Sequence, residues 1–164
     1  MEYYIYYTAT PGGTYSLLAV IPDGGTTTFT YNNDTSIAGC YYVAAVDTNG
    51  NIGGPGQQIC VDNCPSYILP AVFTPDGNGI NDFFTPFIPY RNVKDIELKI
   101  YSRWGQLVFE TTDPDIRWNG KTDNTGEELP SGVYFYTCKV NEIYLNGIRQ
   151  RALKPGTIQL IRNQ

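Results

Sequence analysis

The stretch Leu69–Pro86, LPAVFTPDGNGINDFFTP, decides how the chain is read. Val72 and Phe73 before it, and Ile80, Phe83 and Phe84 after it, form apolar shoulders around a polar tip. Proline fixes φ and lacks a backbone donor, and glycine admits positive φ, so Pro75–Asp76–Gly77–Asn78–Gly79 is expected to be a tight loop between short strands. Asp76, Asn78 and Asp82, in the pattern D-x-N-G-x-x-D, put three side-chain oxygens close together and invite a calcium ion, with backbone carbonyls and water completing the shell. The bidentate Glu of an EF-hand loop is absent. The competing reading is an Asx-turn, in which Asp76 and Asn78 bond their own backbone.

Three further landmarks follow in order: Tyr101–Phe109 (YSRWGQLVF), Arg117–Gly120 (RWNG) and Ser131–Tyr136 (SGVYFY). With the loop, they resemble the type B C-terminal sorting domain of the type IX secretion system, carried by gliding-motility-associated and other large surface proteins. The resemblance runs from Tyr67 to Arg162. It departs from the family at the loop, which reads Asp-Gly-Asn-Gly where Asn-Gly-Asp-Gly is commoner, and at Asn119, where Asp is usual. Such a domain implies no catalysis. The folded unit itself is the address read by the outer-membrane translocon, and cargo is held at the cell surface with a PorP/SprF-like outer-membrane protein.

Composition agrees with a β protein. Tyr numbers 14 of 164 residues and aromatics reach 14%, with Gly and Thr abundant, which favours strands over helices. There is no His, so Ser-His-Asp and Cys-His machinery and imidazole metal ligands are excluded. No stretch matches the ~18 apolar residues of a membrane span, and Met1–Glu2–Tyr3 is not a basic signal-peptide start. The chain therefore reads as the tail of a longer exported protein. Residues 1–90 hold seven acids and no base, and every Lys and Arg lies from Arg91 onward. The overall charge of −5 speaks against nucleic acid as a partner. Arg149, Arg151, Lys154 and Arg162 are candidates for partner recognition, unless they only guard a strand edge against aggregation.

Before the linker, Tyr3–Thr8, Tyr15–Ile21, Thr26–Tyr31, Cys40–Val46 and Gln57–Val61 alternate as strands between Pro-Gly and Asp-Gly turns. This succession resembles the later half of a fibronectin type III or immunoglobulin-like domain, with the first two strands missing and an edge open to self-association. The fold class is thus all-β: two consecutive Ig-like or fibronectin-like sandwich units, the first incomplete. Residues 1–62 form the partial module, 63–66 a short linker and 67–164 the sorting domain. In the latter, Asp95–Tyr101, Gln106–Glu110, Val133–Val140, Ile143–Leu145, Ile148–Leu153 and Thr157–Arg162 are the expected strands, with Asn146–Gly147 as a hairpin turn.

On this map Cys40 and Cys60 face each other on neighbouring strands, and Cys64–Cys138 is the second bridge. Both tryptophans are expected to plug the ends of the second unit rather than stack on sugars. Asp113 and Asp115 flank Pro114 in a turn and leave no carboxylate pair for hydrolysis. A calcium- or carbohydrate-binding accessory module of a secreted polysaccharide-degrading enzyme is the alternative to a secretion signal.

Overall fold

The computed structural model describes residues 1–33 and 36–162. The chain divides into two compact units, Met1–Asn63 with Tyr144–Gly147, and Cys64–Ile143 with Ile148–Gln164. Strands dominate both. The described residues hold no α-helix, only one 3-10 turn at Thr122–Asn124.

In the first unit, β1 (Glu2–Thr8), β2 (Ser16–Ile21), β3 (Gly39–Val46) and β4 (Ile59–Val61) form one antiparallel sheet in the order β2-β1-β3-β4. Cross-strand partners share a face, so Ile5, Ala19 and Val43 lie on one side, and Tyr6, Tyr42 and Cys40 on the other. The register sets Cys40 opposite Cys60, and the two are joined. Closing a loop of that length contributes about 3 kcal/mol on the chain-entropy account.

One expected strand is corrected. Thr26–Tyr31 has the alternation of a strand but pairs with none. It runs as a strap over one sheet face, with Phe29 beside Ile5 and Val43 and Tyr31 against the rings of Tyr7 and Tyr41. Alternation directs side chains to two faces. A ladder also needs a neighbouring backbone, and none is present among the described residues.

The second unit holds β5 (Val72–Phe73), β6 (Val93–Tyr101), β7 (Leu107–Thr111) and β10 (Gly156–Leu160), with β8 (Gly132–Tyr144) up to Ile143 and β9 (Gly147–Ala152) from Ile148. Their order is β5-β10-β8-β6-β7, with β9 paired to β8. The two expected strands at 133–140 and 143–145 are one long strand, β8. Its turn into β9 uses Leu145 and Asn146, with Gly147 opening the return.

Ile96, Leu98 and Ile100 of β6, Tyr134, Cys138 and Val140 of β8, and Ile158 and Leu160 of β10 are buried on one face, the period-2 pattern of a half-buried sheet. Phe84 and Trp118 cover that face. They bridge each other through Phe84 N–H to Trp118 O (2.8 Å) and Trp118 N–H to Phe84 O (3.3 Å). Trp118 is fully buried, with the rings of Phe73, Phe84, Phe109 and Tyr134 at centroid distances of 5.1–6.5 Å. Its Nε1–H donates to Lys121 O at 2.9 Å, which removes the cost of burying the indole N–H.

The Cys64–Cys138 bridge is not formed. Cys64 is exposed, whereas Cys138 points into the core from a strand hydrogen-bonded on both sides. Burial pushes the Cys138 thiol up to about 11, so it is unreactive as well as out of reach. Iodoacetamide should therefore label Cys64 in the native chain and reach Cys138 only after denaturant is added, which peptide mapping will read.

Candidate functional site

The loop singled out in the sequence closes as Thr74 N–H donates to Asn81 O (2.9 Å). Gly77 and Gly79 take φ of +78° and +86°, the left-handed region that the loop demanded of them. Asp82 sits at its focus and accepts Gly77 N–H at 2.6 Å and Gly79 N–H at 2.7 Å, one on each carboxylate oxygen. Asp76 accepts from the Asn78 backbone and side chain, and Asn78 Oδ1 accepts Ile80 N–H at 2.7 Å. The three side chains are thus engaged as a nested Asx-turn. No group of three or more His, Cys, Asp or Glu suited to a metal occurs among the described residues.

The far side of the loop is held by Arg162. Its guanidinium donates Nη1–H to Pro75 O (3.0 Å), Nη2–H to Gly120 O (3.0 Å) and Nε–H to Leu129 O (3.1 Å). Its own backbone N–H donates to Ser131 Oγ at 2.9 Å. One side chain, only 20% exposed, thereby ties the chain's last strand to three loops. Arg162 was a candidate for partner recognition, but its donors are spent internally.

Gly120 makes this lock possible. Its φ is +76°, and an added Cβ would stand 2.9 Å from Leu160 Cδ1 and 3.1 Å from Arg162 Nη2. The neighbouring Asn119 uses both ends of its amide: Nδ2–H donates to Asn124 O (2.9 Å) and Oδ1 accepts Lys121 N–H (3.0 Å). A carboxylate could make the second bond but not the first. Asn119 therefore suits this loop on its own terms.

The four landmarks of the sequence converge on one body: the loop, the Trp118 segment, the β6–β7 hairpin and the start of β8 all belong to the second unit. The family model of the CHU_C type IX secretion signal domain matches residues 67–160, more than half of the chain, and all of that span but Tyr144–Gly147 lies in the second unit. The chain belongs to this family. No curated protein gives a significant match. The chain thus carries a type IX secretion signal, and that signal directs export to the cell surface.

Within the signal domain, the remaining candidates separate. Arg151 lies against Glu142, with Nε and Nη2 each 2.6 Å from Oε1, and that carboxylate is buried at 3% exposure. Arg151 neutralises a charge that would be costly alone. Arg149 and Lys154 are exposed, Arg149 on β9 and Lys154 just beyond it.

Trp104 departs from its expected role. It is 85% exposed at the tip of the β6–β7 hairpin, with the Arg103 guanidinium 5.2 Å above its ring. It borders a groove of about 490 Å³ with Gln106, Ser131, Val133 and Phe135. Phe135 pairs with Tyr101 across β6–β8, and Leu107 pairs with Tyr101 on the other side, so these residues share the outer face of the sheet. Sequence reasoning treated both tryptophans alike. The tip of a hairpin projects its side chains outward whatever their polarity, and the turn Ser102–Gly105, closed by Gly105 N–H to Ser102 O with Gly105 at φ +80°, was the available signal. Asp113 and Asp115 are structural: Asp113 accepts Asp115 N–H, and Asp115 accepts the Tyr90 hydroxyl at 2.6 Å. That bond and burial push the Tyr90 phenol up to about 12.

Proposed function

We propose that the second unit is a folded address read by the outer-membrane translocation machinery, that it carries no catalysis, and that a PorP/SprF-like protein retains the cargo at the surface. The observation that carries this reading is that the span matched by the family model, apart from Tyr144–Gly147, lies in a compact unit with its own core. The first unit is then a partial fibronectin- or immunoglobulin-like module of an adhesin-like surface protein. Recognition falls to the outer face around Trp104, Val133 and Phe135 and to Arg149 and Lys154, since the buried face and Arg162 are committed to the fold. The whole chain, fused behind a periplasmic reporter in a host with the type IX pathway, should bring the reporter to the cell surface. Trp104→Ala should cut export while leaving the melting temperature unchanged. Reporter trapped in the periplasm would overturn the reading.

The exposed Trp104 favours one further role, stacking on a sugar ring beside Arg103, as in a carbohydrate-binding accessory module. Quenching of tryptophan fluorescence by polysaccharide, lost in Trp104→Ala, would support it. Calcium has no part in the reading we favour, because the loop's oxygens already accept backbone amides. Millimolar calcium should leave the melting temperature unchanged in calorimetry; a clear rise would show the loop opening to take the ion.

A further inference from the structure

The β6–β8 ladder ends before β8 does. Its last pair is Tyr101 with Phe135, after which the chain leaves in the turn Ser102–Gly105, whereas β8 already begins at Gly132 with β10 on its other side. Gln159 stands opposite Val133 across β10–β8 but gives its N–H to Ala71 O, on the far side of β10. Opposed residues of an antiparallel ladder exchange both bonds or neither, so the N–H and C=O of Val133 point away from β10, into the place that β6 has left. The turn does not bond them. Its own amides converge on Ser102: Gly105 N–H donates to the Ser102 carbonyl, and Trp104 and Gln106 N–H donate to its hydroxyl. The groove of about 490 Å³ lies along this notch, lined by Arg103 and Trp104 of the turn and by Val133 and Phe135 of the strand. Arg103 is its one charged lining residue, exposed and in no ion pair among the described residues. Glu128, the acid beside lining residue Leu129, is taken by Lys121 and Arg162.

Given that the second unit is read as an address, we infer that this notch takes an extended segment of the protein that reads it, with an Asp or Glu placed for Arg103 and an apolar residue for Trp104. The segment's main chain exchanges bonds with Val133, continuing the ladder that Tyr101 and Phe135 end, as in recognition by strand addition. Its carboxylate meets the uncompensated guanidinium, which selects against basic segments. The indole and the Phe135 ring cover its apolar side chain. Trp and Arg are the residue types on which interface affinity concentrates, and here they are neighbours at the tip of one turn. A sugar ring would stack on the indole, but an extended peptide also presents C=O and N–H at the ladder spacing that Val133 offers.

The test is titration of the full, isotope-labelled chain with the blocked peptide acetyl-Thr-Val-Glu-Val-Thr-amide, followed by NMR. Saturable shifts should appear at the Val133 amide and the Trp104 indole N–H at roughly millimolar peptide. Gln in place of the peptide's Glu should weaken binding about threefold and Lys about tenfold, and Arg103→Gln should erase those differences. No shift at Val133, or equal affinity for the three peptides, would overturn the inference. Shifts of the Trp104 indole with cellohexaose and none with the peptides would overturn the occupant in favour of a glycan. Reporter export separates the notch from the address beneath it. Arg103→Gln should lower surface reporter about threefold at an unchanged melting temperature, in step with the peptide. Undiminished export of Arg103→Gln, with the unaltered chain exported, would overturn the notch alone. An unaltered chain that leaves the reporter in the periplasm would overturn the address itself.

Discussion

Replacing Trp118 by Ala should cost the signal domain about 3–5 kcal/mol, the range for emptying a large aromatic site in a packed core. The indole is fully buried, touches four rings from four segments of chain and closes a hydrogen bond to Lys121 O. No neighbour can collapse into that space without breaking the Phe84–Trp118 bridge that positions the covering layer. Domains are stable by only about 5–15 kcal/mol, so the variant should lose much of its margin. Urea unfolding of the second unit will read the loss. Because the address is read as a folded body, export of a fused reporter should fall with it. Trp118→Phe keeps most of the ring packing and gives up the Lys121 bond, so it should lose clearly less.

Arg162→Ala should be the next most damaging change, at about 2–4 kcal/mol. Three donors on a side chain only 20% exposed are lost together, and hydrogen bonds to a charged group contribute about 1.5–3 kcal/mol each without adding fully. The nearby Glu128 carboxylate, 3.7 Å away and exposed, contributes little. Lysine retains the charge but not the planar fork, and it cannot serve three carbonyls set around it, so Arg162→Lys should recover less than half of the loss. Urea unfolding reads the loss, and faster amide exchange at Thr74–Asn81 should accompany it, since the loop loses its anchor at Pro75.

Several features were legible in the residues themselves. The alternation of Ile96, Leu98 and Ile100 identified both a strand and its buried face, and the Pro-Gly punctuation of Leu69–Pro86 identified a turn. Positions that depend on what lies across space were not legible. Cys138 and Cys64 looked like a pair because both were left over once Cys40 met Cys60, but Cys138 faces the core. Thr26–Tyr31 looked like a strand because it alternates, and nothing local says whether a neighbour exists. Arg162 looked like a surface cation, because its three carbonyl partners are 33 to 87 residues away in sequence.

By itself, then, the sequence determined an all-β chain in two units, the loop at Asp76–Asp82 and the family of the second unit. The strands and the loop follow from side-chain period, fixed φ at proline and free φ at glycine, which act within a few residues, and the family follows from the resemblance of four landmark motifs in order. Tertiary structure alone decided which tryptophan is core and which is surface, and which arginines are spent on loop carbonyls or a buried carboxylate. Burial and hydrogen-bond partnership are set by distant segments meeting, and no short window of residues contains them.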